Sequence, residues 1–321
     1  MTNPIGLAIH GGCGALKRAE LTDAEWADAR AALQRSLREG WAVLARGGSA
    51  LDAVEAAVVV MEDSPAFNAG HGAALNADGF HELDASTMDG ATLGAGGVSC
   101  VKRIRNPIRA ARAVMETNEI VNMAGDGADA WAEAAGLAMV PNSYFTTQRR
   151  IDALKKLKAL AVQGAAHKAS EGEKHGTIGA VALDRNGHLA AATSTGGFNN
   201  KPVARVSDSS VIGAGTYARD GVCAVSCTGR GEYFIRLVAG HEIASRMAYR
   251  GQSLKEATDG VVFGDMKKWE NGAGLCAIDA QGRAVVPYNT LGMYRGFVTP
   301  EGALHIGIHD DLALVETLAG G

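Results

Sequence analysis

The sequence predicts an α+β chain: two αβ halves joined by one linker. Three observations predict it. Apolar residues recur at helical spacing behind capping residues. Short apolar runs end in glycine clusters such as HGGCG, GAGGV and TSTGG. One stretch without apolar periodicity, 163–176, interrupts the 321 residues and is followed at once by a strand pattern. Glycine, at 42 residues, is the compositional outlier, as expected where strands meet tight turns and backbone lies close to a ligand.

Taken in order, Gly6 to His10 reads as a short buried strand ending in His-Gly-Gly. Thr22 and Glu25 have capping-box spacing, and Trp26, Ala29, Leu33, Leu37, Trp41 and Leu44 continue as a helix until Gly47-Gly48. Ser49 and Asp52 repeat that spacing and open a helix to about Asp63, which Ser64-Pro65 ends. Residues 70–102 are glycine-rich and strand-like, with a turn at Asp78-Gly79. Asn106-Pro107 starts a helix through Ala110, Ala111 and Val114. Residues 128–162 read as helical and become basic near Arg149, Arg150, Lys155, Lys156 and Lys158.

Residues 163–176, QGAAHKASEGEKHG, read as a flexible exposed linker. Thr177 to Ser194 then forms a β-hairpin pattern around Asn186-Gly187. A further strand precedes Thr228. Glu232 to Arg250 reads as one helix with Phe234, Leu237, Val238 and His241 on one side. Ser253 with Glu256 opens another helix, and two strands flank Gln281-Gly282. No repeat of solenoid period occurs.

Composition excludes several classes. Lysine plus arginine is 31 and aspartate plus glutamate 35, so the net charge is 31 − 35 = −4. Without a basic excess, and with 5% aromatics, nucleic-acid binding is not expected. The start MTNPIGLAIHGG lacks the basic and apolar regions of a signal peptide, and the apolar stretch around Ala53 to Met61 is too short for a bilayer. Cys13, Cys100, Cys223, Cys227 and Cys276 form no C-x-x-C and read as free thiols of a reducing cytoplasm. Neither G-x-S-x-G, a Walker A loop, a complete dinucleotide loop nor H-E-x-x-H is present, and His305 and His309, four apart, lie in a strand-like segment with no helix to aim them.

The junction Gly176-Thr177-Ile178-Gly179 carries chemistry of a different kind. A threonine hydroxyl is a weak nucleophile, but a free α-amine on the same residue can serve as its base. Such an amine has a reference pKa of about 7.7–8.0, suited to general-base work. It arises only if the chain is cut before Thr177, and glycine at 176 gives the cut backbone room. For Gly-Thr alone, a β-branched residue opening a strand is the simpler reading.

HGTIGAVALD, AAATSTGG and SCTGRGEYFIR together resemble the plant-type asparaginase, or isoaspartyl peptidase, family of N-terminal-nucleophile hydrolases. AIHGGCG, SALDAVEAAV, FNAGHG, HELDASTMDG, RNPIRAAR and PYNTLGMYRG extend the resemblance in order along essentially the whole chain. It implies one domain, 1–321, in a four-layer αββα sandwich, self-cleaved into 1–176 and 177–321. It implies Thr177 as nucleophile, Thr195 as its hydrogen-bonding partner, and Thr228 with the Gly229 N–H as oxyanion hole. Arg205 would hold the substrate α-carboxylate, Asp208 the α-ammonium, and Gly231 would add a carbonyl near the ammonium. Arg230 lies at a position that tunes selectivity or faces solvent. Asn68 would support the precursor. The loop from Met61 resembles a sodium-binding loop of backbone carbonyls, from Met61, Glu62, Ser64, Phe67, Ala69 and His71; otherwise it is a plain helix-ending loop.

The implied activity is hydrolysis of β-aspartyl dipeptides and of asparagine, releasing aspartate, with no redox or organic cofactor. Substrates are small molecules and dipeptides, and a homodimer of cleaved protomers in the cytoplasm is implied. Glycosylasparaginase is the near alternative, but that group typically carries aspartate where this chain has Gly176. A noncatalytic binding or regulatory protein on the same scaffold is the alternative of another class, against which Thr177, Thr195 and Thr228 stand together.

Overall fold

A computed structural model describes residues 4–15, 17–162, 176–269 and 272–320. The linker expected at 163–176 lies, apart from Gly176, outside the described residues. The strands are β1 (Gly6–Gly12), β2 (Leu83–Asp89), β3 (Ala95–Val101), β4 (Asn122–Ala124), β5 (Ile178–Leu183), β6 (Leu189–Thr195) and β7 (Thr216–Arg219). They continue as β8 (Cys223–Gly229), β9 (Ala273–Asp279), β10 (Ala284–Val285), β11 (Tyr294–Val298), β12 (Ala303–Gly307) and β13 (Ala313–Thr317).

Among the described residues two sheets form. One runs β13-β12-β11-β1-β5-β6-β2-β3-β4, the other β10-β9-β8-β7. The β5–β6 hairpin turns at Gly187, whose φ of 83° is left-handed, as Asn-Gly predicts. Helices α1 (Asp23–Ala45), α2 (Ala50–Glu62) and α3 (Pro107–Glu116) bury Leu33, Leu37, Leu44, Val54, Val58 and Val114 against the larger sheet. Helices Ala239–Arg250 and Leu254–Asp259 bury Ile243 and Leu254 with Val225, Cys227 and Leu275 of the smaller one. Ala8, Val181, Ala191, Ala224 and Ile278 form a third cluster where the two sheets meet.

Strand alternation places the polar residues. On β1, Leu7 and Ile9 face the helices while Ala8 faces the other sheet. On β8, Val225 and Cys227 face outward and Ala224 inward. Because side chains alternate with period two, His10, Thr193, Thr195, Ser226 and Thr228 share the inter-sheet face. Burying hydroxyls there is tolerable only if each is hydrogen-bonded, and the packing of small alanines around them leaves room for such bonds.

The capping boxes at Thr22–Glu25 and Ser253–Glu256 form as expected. Ser49 caps α2 by accepting from the Asp52 N–H. Several expectations need correction. Asn106 precedes α3 but makes no side-chain cap; its amide donates to Asp63 Oδ1 at 3.2 Å instead. The helical span 128–162 is two helices, Gly125–Ala134 and Gln148–Val162, separated where Gly136 turns left-handed and Pro141 intervenes. The helix expected over Glu232–Arg250 breaks at Val238, whose φ is +51°. Phe234 is buried there, but Val238 and His241 are exposed, so the assumed single apolar face does not exist.

Candidate active site

The end of β6 and the start of β5 bring the junction residues together. Thr177 is buried, and its hydroxyl donates to Thr195 Oγ1 at 3.1 Å. Thr195 Oγ1 donates in turn to the Gly176 carbonyl at 3.1 Å and accepts from the Gly197 N–H at 2.9 Å. The direction is forced, because a carbonyl only accepts and a hydroxyl has one proton. Asn68 supplies the second donor, Nδ2 to the Gly176 carbonyl at 2.7 Å. The same amide nitrogen donates to the Gly197 carbonyl at 2.6 Å, and Asn68 Oδ1 accepts from the Ala74 N–H at 2.6 Å, so the Asn68 amide cannot rotate without losing partners. The carbonyl of Gly176 therefore sits in a two-donor cradle beside a hydroxyl whose lone pairs remain free of its own proton.

Glycines make this approach possible. A Cβ on Gly12 would stand 2.9 Å from Gly176 Cα, and Gly12 already has φ of +108°. The adjacent Cys13 N–H donates to Thr228 Oγ1 at 3.3 Å. Residues 12 and 13 thus connect Thr228, and Gly229 beyond it, to the junction.

A charged corner lies on the other side of Gly197. A Cβ on Gly197 would be 3.3 Å from Arg205 Nη1. At Gly231 a Cβ would be 2.7 Å from Asp208 Oδ1 and 2.9 Å from Arg205 Nη2, so both charged groups converge on that glycine. Arg205 Nε donates to Glu232 Oε1 at 3.1 Å, and its guanidinium lies 4.7 Å from the Phe198 ring centroid. Burial pushes the Asp208 carboxyl up to about 7, against the pull of Arg205. Its Oδ2 is buried without a hydrogen-bond partner among the described residues. Burial would raise the Glu232 carboxyl too, but the hydrogen bond and charge of Arg205, with Arg230, hold it below its ordinary value. A buried carboxylate oxygen with no donor, beside a fixed guanidinium, suits a ligand that carries its own ammonium and carboxylate.

The loop after α2 folds back through Gly70 and Gly72, both with positive φ, so that the His71 N–H reaches the Glu62 carbonyl at 2.7 Å. The Met61 carbonyl accepts from Ser64 N–H at 3.2 Å. The Glu62 carboxyl points elsewhere, accepting from Ser194 Oγ at 2.7 Å and the Ile108 N–H at 3.1 Å. Backbone carbonyls are hard, neutral oxygens, a donor type that suits an alkali cation and not a transition metal, and those of Met61 and Glu62 each accept an N–H within this turn. Among the described residues, no group of three His, Cys, Asp or Glu side chains could hold a metal.

Sequence reasoning missed three neighbours. His10 reads in the sequence only as the end of a buried strand within AIHGGCG, with no role; it donates from Nδ1 to the Thr177 carbonyl at 2.9 Å. Phe198 and Glu232 back Arg205 from positions 7 before and 27 after it, and only the GRGE string hinted at the second.

The family model described as Asparaginase matches residues 2–308. The chain is 46% identical over 294 residues to the isoaspartyl peptidase of Escherichia coli (strain K12), covering 91% of this chain and 92% of that protein. It is 39% identical over 310 residues to the isoaspartyl peptidase/L-asparaginase of Homo sapiens, covering 96% and 97%. It is 36% identical over 323 residues to the probable isoaspartyl peptidase/L-asparaginase 2 of Arabidopsis thaliana, covering 94% and 98%. With a model match over nearly its full length and relatives of this identity and coverage, the chain belongs to the Asparaginase family of isoaspartyl peptidases and L-asparaginases.

Proposed function

We propose that this protein cuts itself before Thr177 and then hydrolyses β-aspartyl dipeptides and asparagine with the exposed threonine. The observation that carries the reading is the Gly176 carbonyl, held by Asn68 Nδ2 and Thr195 Oγ1 beside the Thr177 hydroxyl. Attack of Thr177 Oγ1 on Gly176 C forms the C–O bond and breaks the C–N bond, and the threonine nitrogen leaves with the hydroxyl proton. The two donors stabilise the oxyanion on the way. Water then hydrolyses the ester, leaving a carboxylate on Gly176 and a free amine on Thr177.

The mature cycle repeats that chemistry on a substrate. The amine takes the Thr177 proton while Oγ1 attacks the β-carbonyl, and the amine or ammonia leaves. Water releases aspartate from the resulting β-aspartyl ester. Thr195 orients the hydroxyl, and Thr228 with the Gly229 N–H serves the substrate oxyanion. Arg205 binds the α-carboxylate in two-point geometry, Asp208 binds the α-ammonium, and the Gly231 carbonyl assists. Water is the only co-reactant that the balance requires, so no redox or organic cofactor enters.

The packing of helices outside each sheet supports the four-layer αββα reading. The Met61–His71 turn would hold sodium through the carbonyls of Met61, Glu62, Ser64, Phe67, Ala69 and His71, in a structural role. A homodimer of cleaved protomers acting in the cytoplasm remains part of the proposal; no helix of the described residues is long and apolar enough to cross a membrane. The test is a panel of β-aspartyl dipeptides and asparagine, with wild type and Thr177→Ala in parallel. Wild type should release aspartate and Thr177→Ala should not. Equal release by both would overturn the reading.

A further inference from the structure

We infer that His10 is a positioning residue for Thr177, holding the carbonyl of the nucleophile once cleavage has freed its amino side. The inference rests on Thr177 being the nucleophile. His10 is fully buried, with Nδ1 2.9 Å from the Thr177 carbonyl and Nε2 2.9 Å from Ser226 Oγ. A carbonyl cannot donate, so Nδ1 carries the proton and Nε2 accepts from Ser226. Ser226 is itself supported from behind. Thr193 Oγ1 lies 2.7 Å from Ser226 Oγ and Thr216 Oγ1 donates to Thr193 at 2.7 Å, while Ser86 Oγ gives its proton to the Ser209 carbonyl at 2.6 Å. With Ser226 committed to Nε2, Thr193 and Thr216 can each pass a single proton toward His10. Burial also lowers the imidazole pKa to about 3, which keeps it neutral.

Gly179, two residues after the nucleophile, belongs to this arrangement. A Cβ there would overlap Ser226 Oγ and stand 2.8 Å from His10 Nε2. The second glycine of Gly-Thr-Ile-Gly therefore clears the passage in which the imidazole meets the hydroxyl. In the continuous chain Thr177 is restrained on both sides, since the Gly176 carbonyl is held by Asn68 and Thr195. Cleavage removes the covalent restraint on the amino side. The bond from His10 then fixes the plane of the Thr177–Ile178 peptide, next to the Cα that carries both the nucleophile and its base.

Two substitutions separate this role from simple bridging of the sheets. His10→Asn places an amide N–H near the Nδ1 position and loses Ser226. His10→Gln reaches toward Ser226 and loses the bond to Thr177. Each is measured as matured enzyme, by kcat and KM on a β-aspartyl dipeptide and by thermal midpoint. A neutral hydrogen bond lost from the active geometry should lower kcat about 3- to 10-fold in His10→Gln, at a KM near wild type, while His10→Asn recovers most of kcat. The thermal midpoint should follow the opposite order. If kcat falls equally in both variants, or follows the midpoint, the positioning role is overturned. Should neither variant mature, the ring nitrogens of matured wild type, read by 15N NMR, decide: a proton on Nδ1 and none on Nε2 sustains the bond to Thr177, and a proton on Nε2 overturns it. Thr177→Ala in the same assay keeps the two claims apart: turnover there refutes the nucleophile, whereas an inactive Thr177→Ala beside equal His10 variants refutes only His10.

Discussion

The two sides of Gly197 are built on different physics. Toward Thr177 the groups are neutral: hydroxyls, an amide and backbone, each satisfied by another part of the chain. Toward Arg205 they are charged, and Asp208 Oδ2 is buried without a donor among the described residues. The difference teaches where each half of the chemistry is specified. The neutral side completes itself within the protein and so can act on the protein's own peptide bond. On the proposed reading, the charged side is completed by a ligand that brings an ammonium and a carboxylate. Self-cleavage and substrate recognition should therefore be separable by mutation.

Asn68→Ala strikes the neutral side and should have the largest effect. It removes one of two donors to the Gly176 carbonyl, so self-cleavage followed on a denaturing gel should slow by about 10²- to 10³-fold. Cleavage at the wild-type rate would show that the cradle does not act on this carbonyl.

Arg205→Ala strikes the charged side. The variant should still mature, because the peptide bond before Thr177 offers no free α-carboxylate. Loss of a hydrogen bond to a charged group should lower kcat/KM on a β-aspartyl dipeptide by about 10- to 150-fold. Arg205→Lys should recover only part, since an ammonium lacks the planar fork that Glu232 and Phe198 orient. An uncut Arg205→Ala that is otherwise folded would merge the two sides and break the comparison.

The smallest effect concerns pH. Asp208 must be ionised to pair with an ammonium, and burial raises it to about 7. In the free enzyme kcat/KM should fall as pH drops through that value, and Asp208→Asn should lose this limb at a lower overall level. The linked stability has the opposite sign. Because the folded value lies above the unfolded one, folding favours the protonated form, and this stabilisation is lost as pH rises from about 4 toward 7. Thermal midpoints across that window should decline in wild type and decline less in Asp208→Asn. Identical profiles would remove Asp208 from the ammonium site.

Much of this was legible in the chain. Gly-Thr-Ile-Gly by itself reads as the start of a buried strand, and it is the resemblance carried by HGTIGAVALD, AAATSTGG and SCTGRGEYFIR that marks the junction and singles out Arg205 and Asp208. The Thr22 and Ser253 caps are local, so their spacing sufficed. What stayed hidden depends on strand pairing. His10 and Ser226 are 216 residues apart and meet only because β1 lies in one sheet and β8 in the other. Val238 breaks its helix two residues before Gly240, where the Gly240 and His241 N–H groups donate to the Ala214 and Gly213 carbonyls, against the preference of a β-branched residue for other backbone regions. The break in 128–162 was announced, by Gly136 and Pro141, and the apolar periodicity on either side masked it.

The central claim is that Thr177 becomes an N-terminus. Intact-mass analysis of the purified, denatured protein tests it directly. The account predicts two co-purifying chains, with the second beginning at Thr177. A single uncut chain that hydrolyses β-aspartyl dipeptides at full rate would contradict it.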